Sequence, residues 1–186
     1  MARILIVYGT GHGHTAKITR RIALMLSLDN HQVELRQADQ IPESAVLSSF
    51  DAVLVAGSVY YGKHQPYLTA FATRNAETLN RIPSAFLSVC GALAGSWAEG
   101  PATAAKYVSE FIAKTGWHPN LTKSVAGEVA YKRYSFFTRM VMKLISARTG
   151  RPTDTSRNWE FTSWPEIDEV AAAVGGLARP VVPQVR

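Results

Sequence analysis

Positions 9–15 read Gly9-Thr10-Gly11-His12-Gly13-His14-Thr15, concentrating small, hydroxyl and imidazole side chains in one short stretch. An apolar run from Ile4 to Tyr8 precedes it, and a helical pattern begins at Thr15. A strand, a glycine-rich turn and a helix N-terminus in succession form an anion site, because backbone N–H groups converge there and the helix dipole adds partial positive charge. Thr10 and Thr15 contribute hydroxyl donors. The chemistry that fits is the holding of a phosphate, with an ordinary glycine-rich turn as the alternative. A nucleoside-triphosphate loop requires a lysine in the turn, and none stands there. The dinucleotide fingerprint fails as well, since Gly13 arrives one residue early.

The elements that must position this turn alternate between strand and helix. Thr15 to about Leu28 is predicted as a helix with Ile18, Ile22, Met25 and Leu26 facing the core, and Gln32 to Arg36 as a second strand. A short helix is expected around 43–48, then a central strand from Ala52 to Ser58. Gly57 to His64 reads as the loop after that strand, and Pro66 opens a helix carrying Tyr67, Leu68, Phe71 and Ala72. Ala85 to Val89 is a fourth strand and Cys90 to Gly95 a small-residue loop. A helix from Thr103 to Thr115 and a fifth strand from Ser124 to Val129 follow. Trp159 to Thr162 alternates like a strand, and Ser163-x-x-Glu166 is a capping box opening a last helix. This alternation predicts one α/β domain over residues 1–186: a doubly wound, five-stranded parallel sheet with helices on both faces. Ligands in such sheets bind beyond the carboxyl ends of the strands, where the three small-residue loops converge.

Thr10-x-x-Gly13-x-Thr15 resembles the FMN-phosphate loop of flavodoxins, with His12 where that family usually has threonine or serine. On that resemblance the cofactor is FMN, and Thr10, Gly11, His12, Gly13, His14 and Thr15 cradle its phosphate. Ser58, Val59, Tyr60, Tyr61 and Gly62 form a second wall, where a tyrosine ring would stack on the flavin. Ser88, Val89, Cys90, Gly91, Ala92, Leu93 and Ala94 are nearly free of bulk, so their backbone can approach the ring and tune its potential. Lys63 and His64 read either as exposed loop residues or as aids to an anionic flavin or substrate, and His31 and His118 read as surface positions. Cys90 reads as a small hydrophobe rather than a nucleophile. No histidine, cysteine or carboxylate cluster has metal-ligand spacing.

The net charge of +6 is unevenly placed. Lys132, Arg133, Arg139, Lys143, Arg148 and Arg151 lie between positions 130 and 151 without one acid, while the other 14 basic residues are matched by 14 acidic ones. An anionic partner at that segment is implied. Phe137, Met140, Val141 and Leu144 fall on one side of a helical wheel there. Such a helix either lies on an anionic lipid surface or packs its apolar side on the sheet. No nucleic-acid motif accompanies the charges. One cysteine excludes an internal disulfide, and no apolar run approaches the ~20 residues that span a bilayer. The expected location is cytoplasmic, at the inner face of a membrane.

The chain as a whole is similar to the flavodoxin-type, quinone-dependent protoporphyrinogen oxidases of bacterial haem synthesis. The matching stretches are the Thr10–Thr15 loop, Gly57-Ser58-x-x-Tyr61-Gly62, Pro83-Ser84-Ala85-Phe86-x-Ser88-Val89, Tyr131-x-Arg133-Tyr134, Met142-Lys143-Leu144-Ile145 and Thr153-Asp154-Thr155. The resemblance implies that a basic insertion of about 130–158 interrupts the fifth strand, with Trp159 to Thr162 as the strand's second half. It also implies FMN-dependent oxidation of protoporphyrinogen IX to protoporphyrin IX, with electrons passed to a membrane quinone (menaquinone or ubiquinone). Lys132, Arg133, Phe137, Arg139, Met140 and Lys143 would meet substrate propionates or lipid. The third loop lacks the basic residues expected of that family. A soluble flavodoxin-type electron carrier or an NAD(P)H-quinone reductase is the competing reading. The oligomeric state, and the residues that orient the tetrapyrrole, stay open.

Overall fold

The computed structural model describes residues 1–42 and 46–178. Its elements run as β1 (Arg3–Gly9), α1 (His14–Leu28), β2 (Gln32–Gln37), β3 (Ala52–Tyr60), β4 (Lys63–His64), α2 (Pro66–Arg74), α3 (Ala76–Leu79) and β5 (Ser84–Cys90). There follow α4 (Gly100–Thr115), β6 (Leu121–Ala126), β7 (Glu128–Val129), α5 (Phe136–Arg148), β8 (Trp159–Glu160) and α6 (Trp164–Leu177). The strands pair in the order β2-β1-β3-β5-β6, all parallel. From β1 the chain builds outward to β2, then returns to the other side of β1 with β3. The switch point therefore lies between β1 and β3, and the carboxyl ends of β1, β3 and β5 meet there.

The apolar runs are continuous because both faces of the sheet are covered. Successive side chains of β1 alternate between two cores. Ile4 and Ile6 pack with Ile18, Ile22 and Leu26 of α1 and with Ile167, Val170 and Val174 of α6. Leu5 and Val7 face the other way, onto Leu68, Phe71, Phe86, Phe111 and Trp117. Burial of each of these side chains contributes about 1.5–3 kcal/mol. Trp117 is fully buried and donates from Nε1 to Ser84 Oγ (3.0 Å), whose hydroxyl donates to the Leu79 carbonyl (2.9 Å). That chain of bonds pins the start of β5. At the last helix, Ser163 Oγ accepts from Glu166 N as the capping box requires.

Several expectations are corrected. The segment after β3 is a hairpin: β3 extends to Tyr60 and β4 folds back antiparallel, pairing Tyr60 with Lys63. Its two central residues, Tyr61 and Gly62, have φ of 48° and 77°, the left-handed backbone that a two-residue hairpin turn of this twist needs. The fold-back buries His64, which had read as exposed. His31 is likewise buried, beneath Gly175 of α6 and 3.4 Å from Asp29. Nothing in the local sequence announces either, because the covering residues come from distant elements. His118 and Lys63 are exposed as read.

The fifth strand of the sheet occupies Leu121–Ala126, earlier than its expected span. The backbone then leaves the sheet at Gly127, and β7 pairs antiparallel with β8 in a separate ribbon, Val129 opposite Trp159. Trp159 to Thr162 thus does not continue the parallel sheet. It closes the base of the insertion, with Phe161 N donating to the Gly127 carbonyl (3.0 Å). Leu47–Ser49 form one 3-10 turn, while positions 43–45 of the expected short helix and the tail at 180–186 lie outside the described residues.

Candidate functional site

Loop one is set by β1 on one side and α2 on the other. Thr10 N donates to Tyr67 Oη (2.9 Å), and that hydroxyl donates to the Thr10 carbonyl (3.1 Å). Gly13 N donates to Thr10 Oγ1 (2.9 Å). Gly13 is the N-cap of α1 at φ 86°, a conformation that costs a glycine nothing. No side chain caps the helix, and the Lys17 N–H bonds the Gly13 carbonyl (3.1 Å). The amides of His14, Thr15 and Ala16 therefore point out of the helix end.

Two polar atoms at this end, Thr15 Oγ1 and His12 Nε2, are buried without a hydrogen-bond partner. A buried unpartnered hydroxyl costs about 1–3 kcal/mol, so the loop is arranged for an acceptor that it does not itself contain. An oxyanion between the hydroxyl, a protonated Nε2 and the helix amides satisfies all of them. These residues fit the phosphate of FMN. The His12 ring stands edge-on to Tyr60 (5.5 Å) and Tyr134 (5.1 Å). Burial pulls its pKa down, and the Arg133 guanidinium adds to the shift.

Three cavities lie around the loop and the neighbouring hairpin. A narrow one of about 70 Å³ is lined by Thr10, Gly11, His12, His14, Thr15, Ser58 and Val59, and on its far side by Val89, Cys90 and Gly91. A larger cleft of about 520 Å³ lies between the β3–β4 hairpin, the loop after β5 and the insertion. Val59, Tyr60, Gly91, Glu128 and Tyr134 line both, so the two form one trough from phosphate loop to open cleft. Tyr61, Gly62 and Ala92 line the cleft and not the narrow cavity. A third cavity, of about 740 Å³, lies on the α4 side of the same hairpin and reaches Gly11 and His12 of the loop.

Three residues expected at the cofactor lie elsewhere. Ser88 is fully buried and bonded to His64 Nε2 (3.0 Å), because its side chain alternates away from the trough. Leu93 faces a separate groove beside α4, and Ala94 is buried. Cys90 is buried with its thiol pKa raised by desolvation, in keeping with a hydrophobe.

The insertion residues also separate. Arg139 is spent on structure: Nε and Nη2 donate to the carbonyls of Tyr131 (3.0 Å) and Tyr134 (3.3 Å). Lys132, Lys143, Phe137 and Met140 are exposed. Arg133 is exposed as well, yet its Nη1 donates to the His12 carbonyl of the phosphate loop. The cations lining the cleft are Arg148 and Arg151, which had entered only as part of the charge count. Arg151 is 8% exposed; Nε donates to Thr149 Oγ1 (2.7 Å) and Nη1 to the Gly91 carbonyl (3.2 Å). Its pKa is lowered by desolvation.

The apolar stripe of α5 does not pack on the sheet. Of twelve large hydrophobic side chains exposed among the described residues, Phe136, Phe137, Met140, Val141, Leu144 and Ile145 belong to α5, and Tyr60 and Tyr61 to the facing hairpin. Tyr61 Oη and Thr138 Oγ1 meet at 3.3 Å, joining the two. Apolar surface is thus concentrated at the mouth of the cleft. Glu128, also absent from the sequence reading, faces His14 Nδ1 at 3.6 Å. No described helix is long and apolar enough to cross a membrane, and no group of potential metal ligands occurs among the described residues.

Strand order and loops define a flavodoxin-like protein. A family model of the flavodoxin domain matches residues 5–156. The chain belongs to the flavodoxin domain family; it is a flavodoxin-type oxidoreductase, and its cofactor is FMN. Among curated proteins it is 30% identical to a protoporphyrinogen IX dehydrogenase [quinone] of Leishmania major, over 98% of this chain and 78% of the relative. It is 28% identical to the enzyme of that name from Escherichia coli K12, over 94% and 96%. Solved structures of similar fold include the two-electron reduced flavodoxin of Megasphaera elsdenii, with a TM-score of 0.56 and 16% identity over 93% of this chain and 98% of that one. A short-chain flavodoxin associated with a bacterial microcompartment gives 0.55 and 13%, over 96% and 100%.

Proposed function

We propose that this protein oxidises protoporphyrinogen IX to protoporphyrin IX in haem biosynthesis and passes the electrons to a membrane quinone. The observation that carries the proposal is the 520 Å³ cleft, walled by the hairpin tyrosines and the inner side of α5 and bordered by Arg148 and Arg151. Its mixture of apolar wall and cation suits a large, hydrophobic macrocycle with carboxylate side chains. The relatives' names support the same substrate and acceptor. The oxidation removes six electrons and six hydrogens, so bound FMN would supply two-electron acceptance and donation in three successive rounds, each reducing one quinone to a quinol. The chain's own residues bind and orient: loop one holds the phosphate, Tyr60 and Tyr134 flank the trough, and the arginines anchor propionates.

Both organic partners are apolar and reside at membranes. The exposed stripe of α5, with Lys132 and Lys143 as outward cations, suits docking on an anionic lipid surface at the inner face of the cell membrane. Steady-state turnover of protoporphyrinogen IX under anaerobic conditions, followed by porphyrin fluorescence, tests the proposal. Porphyrin formation that requires an added quinone is expected. FMN-loaded protein without turnover would move the assignment to an electron carrier or a quinone reductase.

A further inference from the structure

Arg133 belongs to the insertion by sequence but to the phosphate loop by position. Its Nη1 donates to the His12 carbonyl and lies 3.3 Å from where a side chain on Gly13 would begin. Its charge is felt by both loop histidines, His12 and His14. The loop itself has no basic residue before Lys17, whose Nζ is paired with Glu160 at 2.7 Å. Across the trough stands Glu128, a carboxylate that repels an incoming dianion.

The base of the insertion is built to hold Arg133 there. Tyr131, fully buried, donates from its hydroxyl to the Pro152 carbonyl (3.1 Å) and lies 2.8 Å from Ser146 Oγ, whose hydroxyl can donate to it. Arg133 N donates to the Ala130 carbonyl (2.9 Å), Lys132 N to Asn158 Oδ1 (3.0 Å), and Ala130 N to Tyr134 Oη (3.1 Å). These bonds fix the single 3-10 turn Tyr131–Arg133 on either side of the arginine.

We propose that Arg133 is the counter-cation of the cofactor phosphate, supplied in trans to the loop by the insertion, so that the insertion latches the cofactor. Its guanidinium rests on the His12 carbonyl, in the same loop that carries the unpartnered Thr15 Oγ1 and His12 Nε2. A phosphate oxygen is a stronger acceptor than that carbonyl and pairs with a guanidinium through two parallel bonds. The insertion thereby does two tasks, forming one wall of the cleft and closing the phosphate end of the trough. Movement of the insertion away from the sheet would loosen the cofactor at its phosphate.

The proposal rests on FMN being the cofactor. The test measures FMN and riboflavin affinity side by side, by quenching of flavin fluorescence in the full chain. Arg133→Gln retains a donor for the His12 carbonyl and removes the charge. FMN affinity is expected to fall roughly tenfold to a hundredfold, with riboflavin affinity unchanged. The wild-type preference for FMN should also weaken with added salt more steeply than the variant's. Arg133→Lys should recover part of the loss. Equal losses for both flavins would make Arg133 a structural tether and overturn the proposal, as would unchanged FMN affinity. Wild-type protein that takes up neither flavin would sink the cofactor assignment and the latch together.

Discussion

His14 Nε2 and Thr162 Oγ1 lie 2.7 Å apart, joining the first residue of α1 to the strand segment that closes the insertion. Because the Thr162 hydroxyl donates to the Ala126 carbonyl (2.9 Å), its oxygen accepts from His14, which fixes the proton on Nε2. Nδ1 then faces Glu128 Oε2 at 3.6 Å. Desolvation pulls the His14 pKa down while Glu128 pulls it back up. Thr162→Val keeps the shape but strands one donor and one acceptor. A loss of about 1–3 kcal/mol in urea-unfolding stability is expected. An unchanged denaturation midpoint would remove this contact from the account of how the insertion is held.

Thr15→Val should act with opposite signs on the empty and the loaded protein. Thr15 Oγ1 is buried without a partner, so replacing it with a methyl makes the flavin-free chain as stable or more so. FMN affinity should nevertheless fall about tenfold, the worth of one charge-assisted hydrogen bond. Thermal unfolding with and without FMN separates the two effects. Unchanged FMN affinity would contradict the loop assignment.

His64 gives the fold a pH dependence. Its ring is buried between Phe86 and Phe111, and desolvation lowers its pKa from 6.5 to about 4. Above pH 6.5 the histidine is neutral in both states. As pH falls below 6.5 the unfolded chain takes up the proton first, so stability declines until the native residue titrates near pH 4. Over that window the loss is roughly 3 kcal/mol. Urea unfolding at a series of pH values, compared with His64→Gln, isolates this contribution. An identical pH slope in the variant would refute it.

The α5 stripe is expected to be silent in stability and decisive in surface binding. Phe137 and Met140 are 81% and 61% exposed, so Phe137→Ser with Met140→Ser should change folding stability by less than about 0.5 kcal/mol. Co-sedimentation with anionic phospholipid vesicles should weaken at least about tenfold, since each side chain brings apolar area to the lipid. Wild-type-like vesicle binding by the double variant would transfer the docking role to another surface.

The sheet was legible in the sequence because its strands carry uninterrupted apolar runs and its helices carry period-3.6 stripes. Ile4 to Tyr8 and Ala52 to Ser58 admit no other reading in a chain of this type. The phosphate loop was legible because small residues, hydroxyls and a helix start coincide at positions 9–15. Tertiary facts were not. The Tyr61–Gly62 turn hides behind a tyrosine in a left-handed backbone, and His64 is buried by residues more than 20 positions away. Arg133, Arg148 and Arg151 are alike in sequence as members of one basic segment. The turn after Ala130 and the end of α5 send them to different places, the first to the phosphate loop and the others to the cleft. Glu128 was overlooked for a similar reason: it reads as part of a strand and becomes a wall only when the chain leaves the sheet at Gly127.

The most direct test of the central claim watches the flavin itself in two half-reactions. FMN-loaded protein is mixed anaerobically with protoporphyrinogen IX, and the visible flavin absorbance is followed before and after a quinone is added. Bleaching by the porphyrinogen, then recovery on quinone addition, is the expected result. A flavin that stays oxidised in excess porphyrinogen, while an artificial reductant bleaches it readily, would contradict the assigned substrate and leave the flavodoxin fold without this reaction.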